Sequence, residues 1–483
     1  METDEHRLAG PPAARAAGLR VLLARHWLIV ALVVAGTVLR VFSWFAYQPA
    51  LLFGDSFRYL ENVGEYNPAG LHPIGYTLFV LGPTLSVDGL ELVAALQHLA
   101  VLAAGVALYA LALRHGARRW LAALAAAPLL LDAYQIQIEQ MIMADAWQQV
   151  LLVALLWTLI GRGAPSPRRA AFGGLLLGVA FAFRLIAGVL VIPAACYLLI
   201  AGGAWRAWRA YWRPVAARSL AFLAAFAVVV GGYGVYFTAV TGKVGLSNTT
   251  GSVLYGRAAT VADCSTLELS PLLRMACPDE PRDQRRPDFY AHRGANEEWA
   301  SRFPPGTDIR DVQQSFALAV IRQQPLDVLG GVAVDFLKGF RPTRVDAPGD
   351  VSVERWQFTT GYQYYNHPGL SIGYSERFSG RPPSDVPSLG QFLRDYQLTV
   401  GYTPGPLLAV FGIVALLAGF GLGRAGRSGI RSTVLLAVGM AVTILLASAA
   451  FEFSWRYQLP GLVLLPFAGI LGLTALLGRR RRW

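Results

Sequence analysis

The sequence predicts an all-α polytopic membrane protein with about ten transmembrane helices, interfacial helices in the first outer loop and an extracytoplasmic insertion. Three observations lead to this class. Of the 483 residues, 54% are hydrophobic and only 15% are charged, whereas a soluble globular chain is about one quarter charged. Apolar runs long enough to cross a bilayer recur along the chain. Short arginine clusters separate these runs, which is the pattern that orients membrane helices.

The predicted spans are runs of about 18 or more mainly apolar residues. They lie near 26–47, 89–113, 117–134, 144–161, 169–184, 186–203, 216–240, 406–423, 431–451 and 459–478. The basic clusters between and after them lie near 114–119, 162–169, 205–213, 424–431 and 479–482. By the positive-inside rule these clusters face the cytoplasm. We therefore expect a multi-pass protein of the plasma (inner) membrane with both termini in the cytoplasm.

The spans divide the chain into four parts. These are a cytoplasmic N-terminal segment 1–25, an N-terminal transmembrane core 26–240 with its first outer loop 48–88, an extracytoplasmic insertion 241–405, and C-terminal transmembrane helices with a basic cytoplasmic tail, 406–483. Within the insertion, the stretch 312–340 mixes charged and apolar residues at near-helical spacing, which predicts two interfacial helices broken at Pro325. The net charge of +12 thus indicates topology, and no nucleic-acid partner is expected.

Two cysteines, Cys264 and Cys277, both fall in the insertion. An oxidising compartment would allow a disulfide that closes a loop of about 14 residues, worth about 3 kcal/mol in the chain-entropy model. The alternative is a pair of unbridged surface thiols. We expect the disulfide, because the insertion is predicted to lie outside the cytoplasm.

Ionisable residues in or beside membrane spans are candidates for function, because burying charge in lipid is costly. On the predicted outer side they are Asp55, Glu61, Glu65, His72, Glu139, Asp145, Arg184, Lys243, Glu452 and Arg456. Their common side favours chemistry at the outer face of the membrane. A single aspartate after a span is more often a helix-end residue, but Asp55 follows Gly54 in a segment too polar for packing alone.

Other candidates keep a structural alternative. Glu139 and Asp145 are six positions apart in QIEQMIMADAW, so they project toward one side if one helix continues through both. They are either part of a site or solvated helix caps. Arg184 has apolar neighbours and needs a carboxylate or a lipid phosphate as a partner. Arg40, within the first span, is expected to extend its charge toward the interface.

Signatures of common soluble enzymes are mostly missing from the sequence. There is no GxxxxGK[ST], HExxH or CxxC motif, and no GxGxxG that follows a strand. The seven histidines are scattered and form no metal-ligand pattern. The sequence therefore predicts a function that depends on residues at the membrane surface.

The order of motifs resembles the GT-C superfamily of polyprenyl-phosphate-sugar-dependent glycosyltransferases. The resemblance rests on Asp55 after the first span, HPIGY at 72–76, the acids Glu139 and Asp145 after the third span, and SWRYQLP at 454–460. It covers the membrane core, 26–260 and 406–478. The superfamily includes protein mannosyltransferases, lipid A aminoarabinose transferases, and actinobacterial mannosyl- and arabinofuranosyltransferases.

The resemblance implies transfer of a hexosyl or pentosyl group, such as mannose or arabinofuranose, from a polyprenyl (decaprenyl) phosphate to a hydroxyl of a cell-envelope glycan, lipid or protein. Asp55 would be the general base of an inverting displacement. The donor phosphate would be bound by Arg184 and Arg456, and less securely by Lys243 and Arg257. The residues expected to position the substrate are Glu139, Asp145, His72 and Tyr59. The alternative role of Glu139 and Asp145 is to hold Arg side chains in place.

Superfamily members usually carry paired acids in the first outer loop, whereas GDS at 54–56 offers one carboxylate. A divalent metal is therefore compatible with the resemblance but not favoured, and no cofactor is required. The main rival function is a transporter or flippase for a lipid-linked sugar, but such proteins commonly show paired repeats and charges at the membrane midplane. A ligase using a pyrophosphate-linked donor and a noncatalytic scaffold are further alternatives.

Overall fold

A computed structural model describes residues 21, 23–70, 72–161, 163–202, 208–346 and 349–478. The described chain is almost entirely helical, as predicted. Its strand pair consists of Tyr47–Gln48 and Ser384–Asp385, which run antiparallel with Tyr47 opposite Asp385. This short pairing joins the end of the first helix to a segment more than 300 positions away.

The α-helices are joined by connections of varied length. In the N-terminal part they are Trp27–Ala46, Gly54–Glu61, Gly82–Leu85, Leu90–Arg114, Arg119–Leu131, Ala133–Gln140, Asp145–Leu159, Pro167–Phe183, Val191–Ile200 and Trp208–Thr241. In the insertion they are Thr250–Val261, Pro271–Arg274, Pro287–Arg293, Glu297–Ala300, Ile309–Gln323, Pro325–Lys338, Pro368–Ser379 and Pro387–Thr399. The last three are Gly405–Gly419, Arg431–Ala449 and Leu459–Leu477.

The structure contains fewer full-length spans than predicted. Five helical segments of the described chain are long and apolar enough to cross a membrane, or up to six if the bent pair Arg119–Leu131 and Ala133–Gln140 counts as one. The prediction of ten is not confirmed. Helices that correspond to other predicted spans are shorter, for example Asp145–Leu159 and Gly405–Gly419 with 15 residues each. Apolar composition continues past the residues where the backbone leaves the helix, so it overestimates helix length.

The helix that follows Arg456 lies at the centre of the bundle. In an apolar stretch of 18 residues within Trp455–Leu477, 83% of the residues are buried inside the protein, compared with 17% in the corresponding stretch of Tyr211–Thr241. The latter helix packs along Pro167–Phe183 on the periphery. Gly174 permits this approach, because a Cβ atom there would lie 2.2 Å from the carbonyl oxygen of Phe222. Small residues commonly allow such close contact between membrane helices.

The insertion has its own hydrophobic core. Its buried aromatic rings include Tyr255, Tyr290, Trp299 and Phe316. The structure joins Cys264 and Cys277 by a disulfide beside this core, which is the pairing expected from the sequence. A helix ends at Gln323 and the next begins at Pro325, so the predicted break is confirmed.

Candidate active site

Four charged side chains from separate helix ends form one alternating chain of ion pairs. Arg456 Nη1 lies 2.5 Å from Asp55 Oδ2, and its Nε and Nη2 lie 2.9 and 2.6 Å from the two oxygens of Asp145. Arg184 Nη1 also contacts the Oδ1 atom of Asp145. The order is therefore Asp55, Arg456, Asp145, Arg184. We call these four residues the charged cluster.

Each member of the charged cluster lies where a helix begins or ends. Asp55 and Asp145 are in the first turns of their helices, where a negative charge is favourable beside the free N–H groups. Arg184 follows Phe183 in an extended conformation, and Arg456 lies in the 3₁₀ turn before the central helix. Helix ends meet at one level because the chain turns back there, which brings residues from distant segments together.

The position of Asp55 depends on close aromatic packing. The ring of Phe53 lies 4.8 Å from that of Trp356 and 4.6 Å from that of Tyr365. A Cβ atom at Gly54 would lie 2.8 Å from the Tyr365 ring, so a larger residue would displace that ring. Ser56 closes the first turn, since its Oγ accepts a hydrogen bond from the Phe53 N–H at 2.9 Å. In the GDS sequence, Gly54 thus allows close packing against Tyr365, Asp55 supplies the charge, and Ser56 caps the helix.

The Asp55 carboxylate is surrounded by positive groups. Besides Arg456, His72 Nε2 lies 3.3 Å and Arg58 Nη1 4.0 Å from its Oδ1 atom. Burial opposes ionisation of Asp55, but the charges of Arg456 and His72 outweigh it and hold the pKa of this carboxyl well below its usual range. The side chain is 14% exposed. Asp55 is therefore an ionised carboxylate that retains access to the surface.

Aromatic rings cover the guanidinium groups of the charged cluster. The Arg456 guanidinium carbon lies 5.6 Å from the Trp356 ring centre and 6.0 Å from that of Tyr457. The corresponding distance from Arg184 to Tyr457 is 5.7 Å. Such contacts stabilise a cation while limiting its access to water. The two arginines are consequently held in a partly desolvated environment.

Two contacts position His72, the first residue of the HPIGY sequence. Gly75 lies against the backbone of the helix that precedes Arg184, since a Cβ atom there would be 2.4 Å from the Ala182 carbonyl oxygen. The His72 ring stacks on Tyr59 with a centroid distance of 4.7 Å. Tyr59 is only 2% exposed, and its role in positioning the substrate stays a prediction. Its contact is with His72.

Glu139 does not join the charged cluster. It is fully buried and makes two hydrogen bonds of 2.7 Å with Arg40 and one of 2.9 Å with His98. The helix ends at Gln140, the backbone is extended at Met141, and a new helix begins at Asp145. The expected common face with Asp145 requires one continuous helix, so that part of the prediction was wrong. Glu139 instead holds the side chain of Arg40 in place.

Arg40 has a structural role in place of the expected extension to the interface. It is 2% exposed and donates to the carbonyl oxygens of Leu129 and Leu130 at 3.1 and 2.6 Å. These carbonyls lie at the end of helix Arg119–Leu131, where intrahelical partners are missing. Arg40, paired with Glu139, therefore satisfies the free carbonyl groups at a bend inside the bundle. This pair is buried and is structural.

Two further phosphate-binding candidates lie elsewhere. Lys243 pairs with Asp308 at 2.7 Å on the surface of the insertion. Arg257 is buried and pairs with Asp335, and it also donates to the Ala449 carbonyl oxygen at 2.9 Å. Both charges are neutralised by partners outside the charged cluster. The structure therefore does not bring Lys243 or Arg257 into the charged cluster, and their positions in sequence do not indicate these partners.

Sequence reasoning missed Arg58, Trp356 and Tyr365. Arg58 is three positions after Asp55, and helical spacing alone could have identified it. The aromatic-rich stretch WQFTTGYQYY at 356–365 was a visible signal, but nothing in its composition connects it to Asp55. The connection arises because the insertion packs against the first outer loop, where Trp356 and Tyr365 contact Phe53.

Glu452 lies beside the charged cluster. Its carboxylate accepts a hydrogen bond from Tyr457 Oη at 3.1 Å. Burial and the nearby charge of Asp288 raise the pKa of Glu452 to about 7. Glu452 and Tyr457 also line a narrow cavity between the last helices and Asp335. The group is therefore able to change protonation near neutral pH.

Potential metal-ligand side chains do not cluster in the described ranges. Within them, no group of three or more His, Cys, Asp and Glu side chains is placed to hold a metal ion. In the charged cluster, guanidinium groups occupy oxygens of both carboxylates.

In structure, the protein is similar to two glycosyltransferases. One is the Saccharomyces cerevisiae protein O-mannosyltransferase Pmt1-Pmt2 complex bound to the sugar donor, with 16% identity, a TM-score of 0.33, and coverage of 57% of this chain and 40% of that chain. The other is the oligosaccharyltransferase AglB from Archaeoglobus fulgidus in complex with an inhibitory peptide and a dolichol-phosphate. It has 11% identity and a TM-score of 0.42, and covers 95% of this chain and 53% of that chain.

The chain thus spans about half or less of the length of these proteins. No protein-family model and no curated protein matches the sequence. At these values the likeness assigns no role to any residue.

Proposed function

We propose that this protein is a membrane glycosyltransferase that moves a sugar from a polyprenyl phosphate to an acceptor hydroxyl at the extracytoplasmic face. The observation that carries the proposal is the charged cluster, in which Asp55, Arg184 and Arg456 converge from three distant parts of the chain. The motif order that resembles the GT-C superfamily supports the same reaction class. A scaffold would not need a partly exposed carboxylate beside desolvated arginines.

The reaction would be a single displacement with inversion. The acceptor oxygen forms a bond to the anomeric carbon while Asp55 takes the hydroxyl proton, since a hydroxyl is a poor nucleophile until it is deprotonated. The bond from the anomeric carbon to the phosphate oxygen breaks, and its electron pair leaves with the lipid phosphate. Arg456 and Arg184 would stabilise that charge through charge-assisted hydrogen bonds.

The ion pair between Asp55 and Arg456 suggests how donor binding would prepare the base. In the structure the guanidinium lowers the basicity of Asp55 by holding its Oδ2 atom at 2.5 Å. A donor phosphate competes for the same guanidinium and adds negative charge nearby. Both effects raise the proton affinity of Asp55. Arg456 stays in place because its Nε and Nη2 groups donate to the Asp145 carboxylate. The arginine therefore need not move far.

The decisive experiment is Asp55→Asn. The amide keeps the shape and a hydrogen-bonding oxygen but removes the base, so transfer from mannosyl- or arabinofuranosyl-phosphodecaprenol should be lost while donor binding remains. Asp88→Asn is the matched control, because Asp88 is an exposed carboxylate of the same loop that contacts its neighbour Gly89. Full transfer activity of the folded Asp55 variant would end the proposal.

A further inference from the structure

The insertion contains a large cavity outside the charged cluster. It has a volume of about 660 Å³ and is lined by residues of 286–302 and 349–355. We call it the insertion cavity. Its size is that of a pocket for a small polar molecule, since ligand sites commonly enclose about 300 to 1,000 Å³.

Positive charge in the insertion cavity is not fully neutralised. Arg286 and Arg355 line it, and neither makes an ion pair or a side-chain hydrogen bond with any residue in the described part of the chain. By contrast, Arg293 is clasped by Asp279 and Glu280 at 3.0 and 3.2 Å. Two guanidinium groups therefore remain available for an anion, and their planar donors suit phosphate or carboxylate oxygens.

The same cavity offers groups that suit a sugar. The Phe289 ring lines it and is 52% exposed, which leaves an apolar face for the C–H groups of a pyranose. Asp288 and His292, 3.4 Å apart, supply an acceptor and a donor for hydroxyl groups. A purely ionic site would not need this aromatic and hydroxyl-binding lining.

The insertion cavity adjoins the charged cluster through one short helix. Arg355 and Trp356 are consecutive in Val353–Trp356, and the Trp356 ring covers the Arg456 guanidinium at 5.6 Å. The hydrogen bond from His292 lowers the pKa of Asp288, and the charge of Asp55 is among those that act on it. The two sites are thus within electrostatic reach of each other.

We infer that the insertion cavity binds the acceptor, and that this acceptor is a saccharide bearing a phosphate or carboxylate group held by Arg286 and Arg355. The role of this ligand as the acceptor rests on the proposed function. Its chemistry follows from the residues that line the cavity. The anion belongs either to a soluble sugar phosphate or to a lipid headgroup, which share the same recognition chemistry.

Binding of glucose 1-phosphate to the full-length protein in phosphatidylcholine nanodiscs tests the inference by calorimetry. We expect saturable binding, with no comparable binding of glucose. Arg286→Gln/Arg355→Gln should weaken it by about tenfold or more. Arg322→Gln is the matched control, because Arg322 is an exposed arginine of the insertion that does not line the cavity, and it should leave binding unchanged.

Two further arms separate the sites and the sources of the anion. Arg456→Gln should still bind glucose 1-phosphate. If this variant loses binding while the variant with both Arg286→Gln and Arg355→Gln retains it, the ligand binds at the charged cluster and the inference is overturned. Absence of binding, or equal binding of glucose, also overturns it. Nanodiscs containing phosphatidylglycerol show the source: competition that depends on Arg286 and Arg355 supports a lipid-borne anion, and unchanged affinity supports a soluble one.

These outcomes are distinct from the test of the proposed function. Calorimetry does not require transfer, so a negative binding result leaves the Asp55→Asn result standing. Conversely, an active Asp55→Asn enzyme would end the proposed mechanism without altering the binding measured at the insertion cavity.

Discussion

Arg456 donates to Asp55 at 2.5 Å although 401 positions separate the two residues in the chain. The same guanidinium binds both oxygens of Asp145, so one side chain links the first outer loop, the start of a central helix and the C-terminal part of the bundle. A residue that joins three segments in this way determines both the geometry of the charged cluster and its response to an incoming anion.

Replacing Arg456 or Arg184 with alanine should weaken donor capture or leaving-group stabilisation by about 2 to 3 kcal/mol, because charge-assisted bonds in a partly desolvated site are lost. The effect would be measured as the change in kcat/KM for the lipid-linked donor. Lys243→Ala is the control, since Lys243 pairs with Asp308 on the surface, and its kinetics should match those of the unmodified protein. Unchanged kinetics for either arginine variant would remove that residue from the site.

Glu139→Gln should destabilise the fold by about 3 to 5 kcal/mol, because it leaves the buried Arg40 guanidinium without its counter-charge. We expect a lower Tm, while the fraction that remains folded keeps its turnover rate. Asp308→Asn removes a charge from the exposed pair with Lys243 and should cost at most about 1 kcal/mol. A Glu139 variant with unaltered Tm and no transfer would instead assign Glu139 to the reaction.

Because of Glu452, stability should fall as the pH rises from the unfolded pKa of 4.5 through the folded pKa of about 7, and it should level off above that. Burial raises the pKa of this carboxyl from 4.5 to about 7, so the folded protein holds the proton more tightly than the unfolded chain. The resulting stability is full below the unfolded pKa and is lost as the pH rises through the folded value. Asp288, His292, Arg456 and Tyr457 are the neighbouring groups that act on it.

Glu452→Gln should remove this dependence, because the amide does not ionise. The measurement is Tm as a function of pH between about 5 and 8, and the variant should be more stable than the unmodified protein at the upper end. Glu65→Gln, a change at an exposed carboxylate of the first outer loop, controls for the general loss of negative charge. Parallel Tm profiles for the Glu452 variant and the unmodified protein would refute the assignment.

Chelation should have little effect on transfer if Asp55 acts as a single base. Activity would be compared with and without EDTA, in membranes and in purified protein. The two carboxylates of the charged cluster are bonded to arginines, which supports charge stabilisation by guanidinium groups. Clear loss in EDTA that a divalent ion restores would show that a metal participates.

Local pattern was sufficient to nominate part of the candidate site. Asp55, Arg184 and Arg456 were identified because ionisable residues beside apolar spans are costly and shared one predicted face. The break at Pro325 followed from the missing N–H of proline. Pattern failed for Glu139, since the extended backbone at Met141 interrupts the helix on which the spacing argument depended.

The sequence by itself determined that the chain is a helical membrane protein, because apolar content and arginine placement govern partition into a bilayer. It also determined which charged residues lie at helix ends. Only the tertiary structure decided the partners: Arg456 pairs with Asp55 and Asp145, whereas Arg257 pairs with Asp335. Ion pairs form between side chains that helix packing brings within a few ångströms, and that packing joins segments hundreds of positions apart, beyond the range of local sequence pattern.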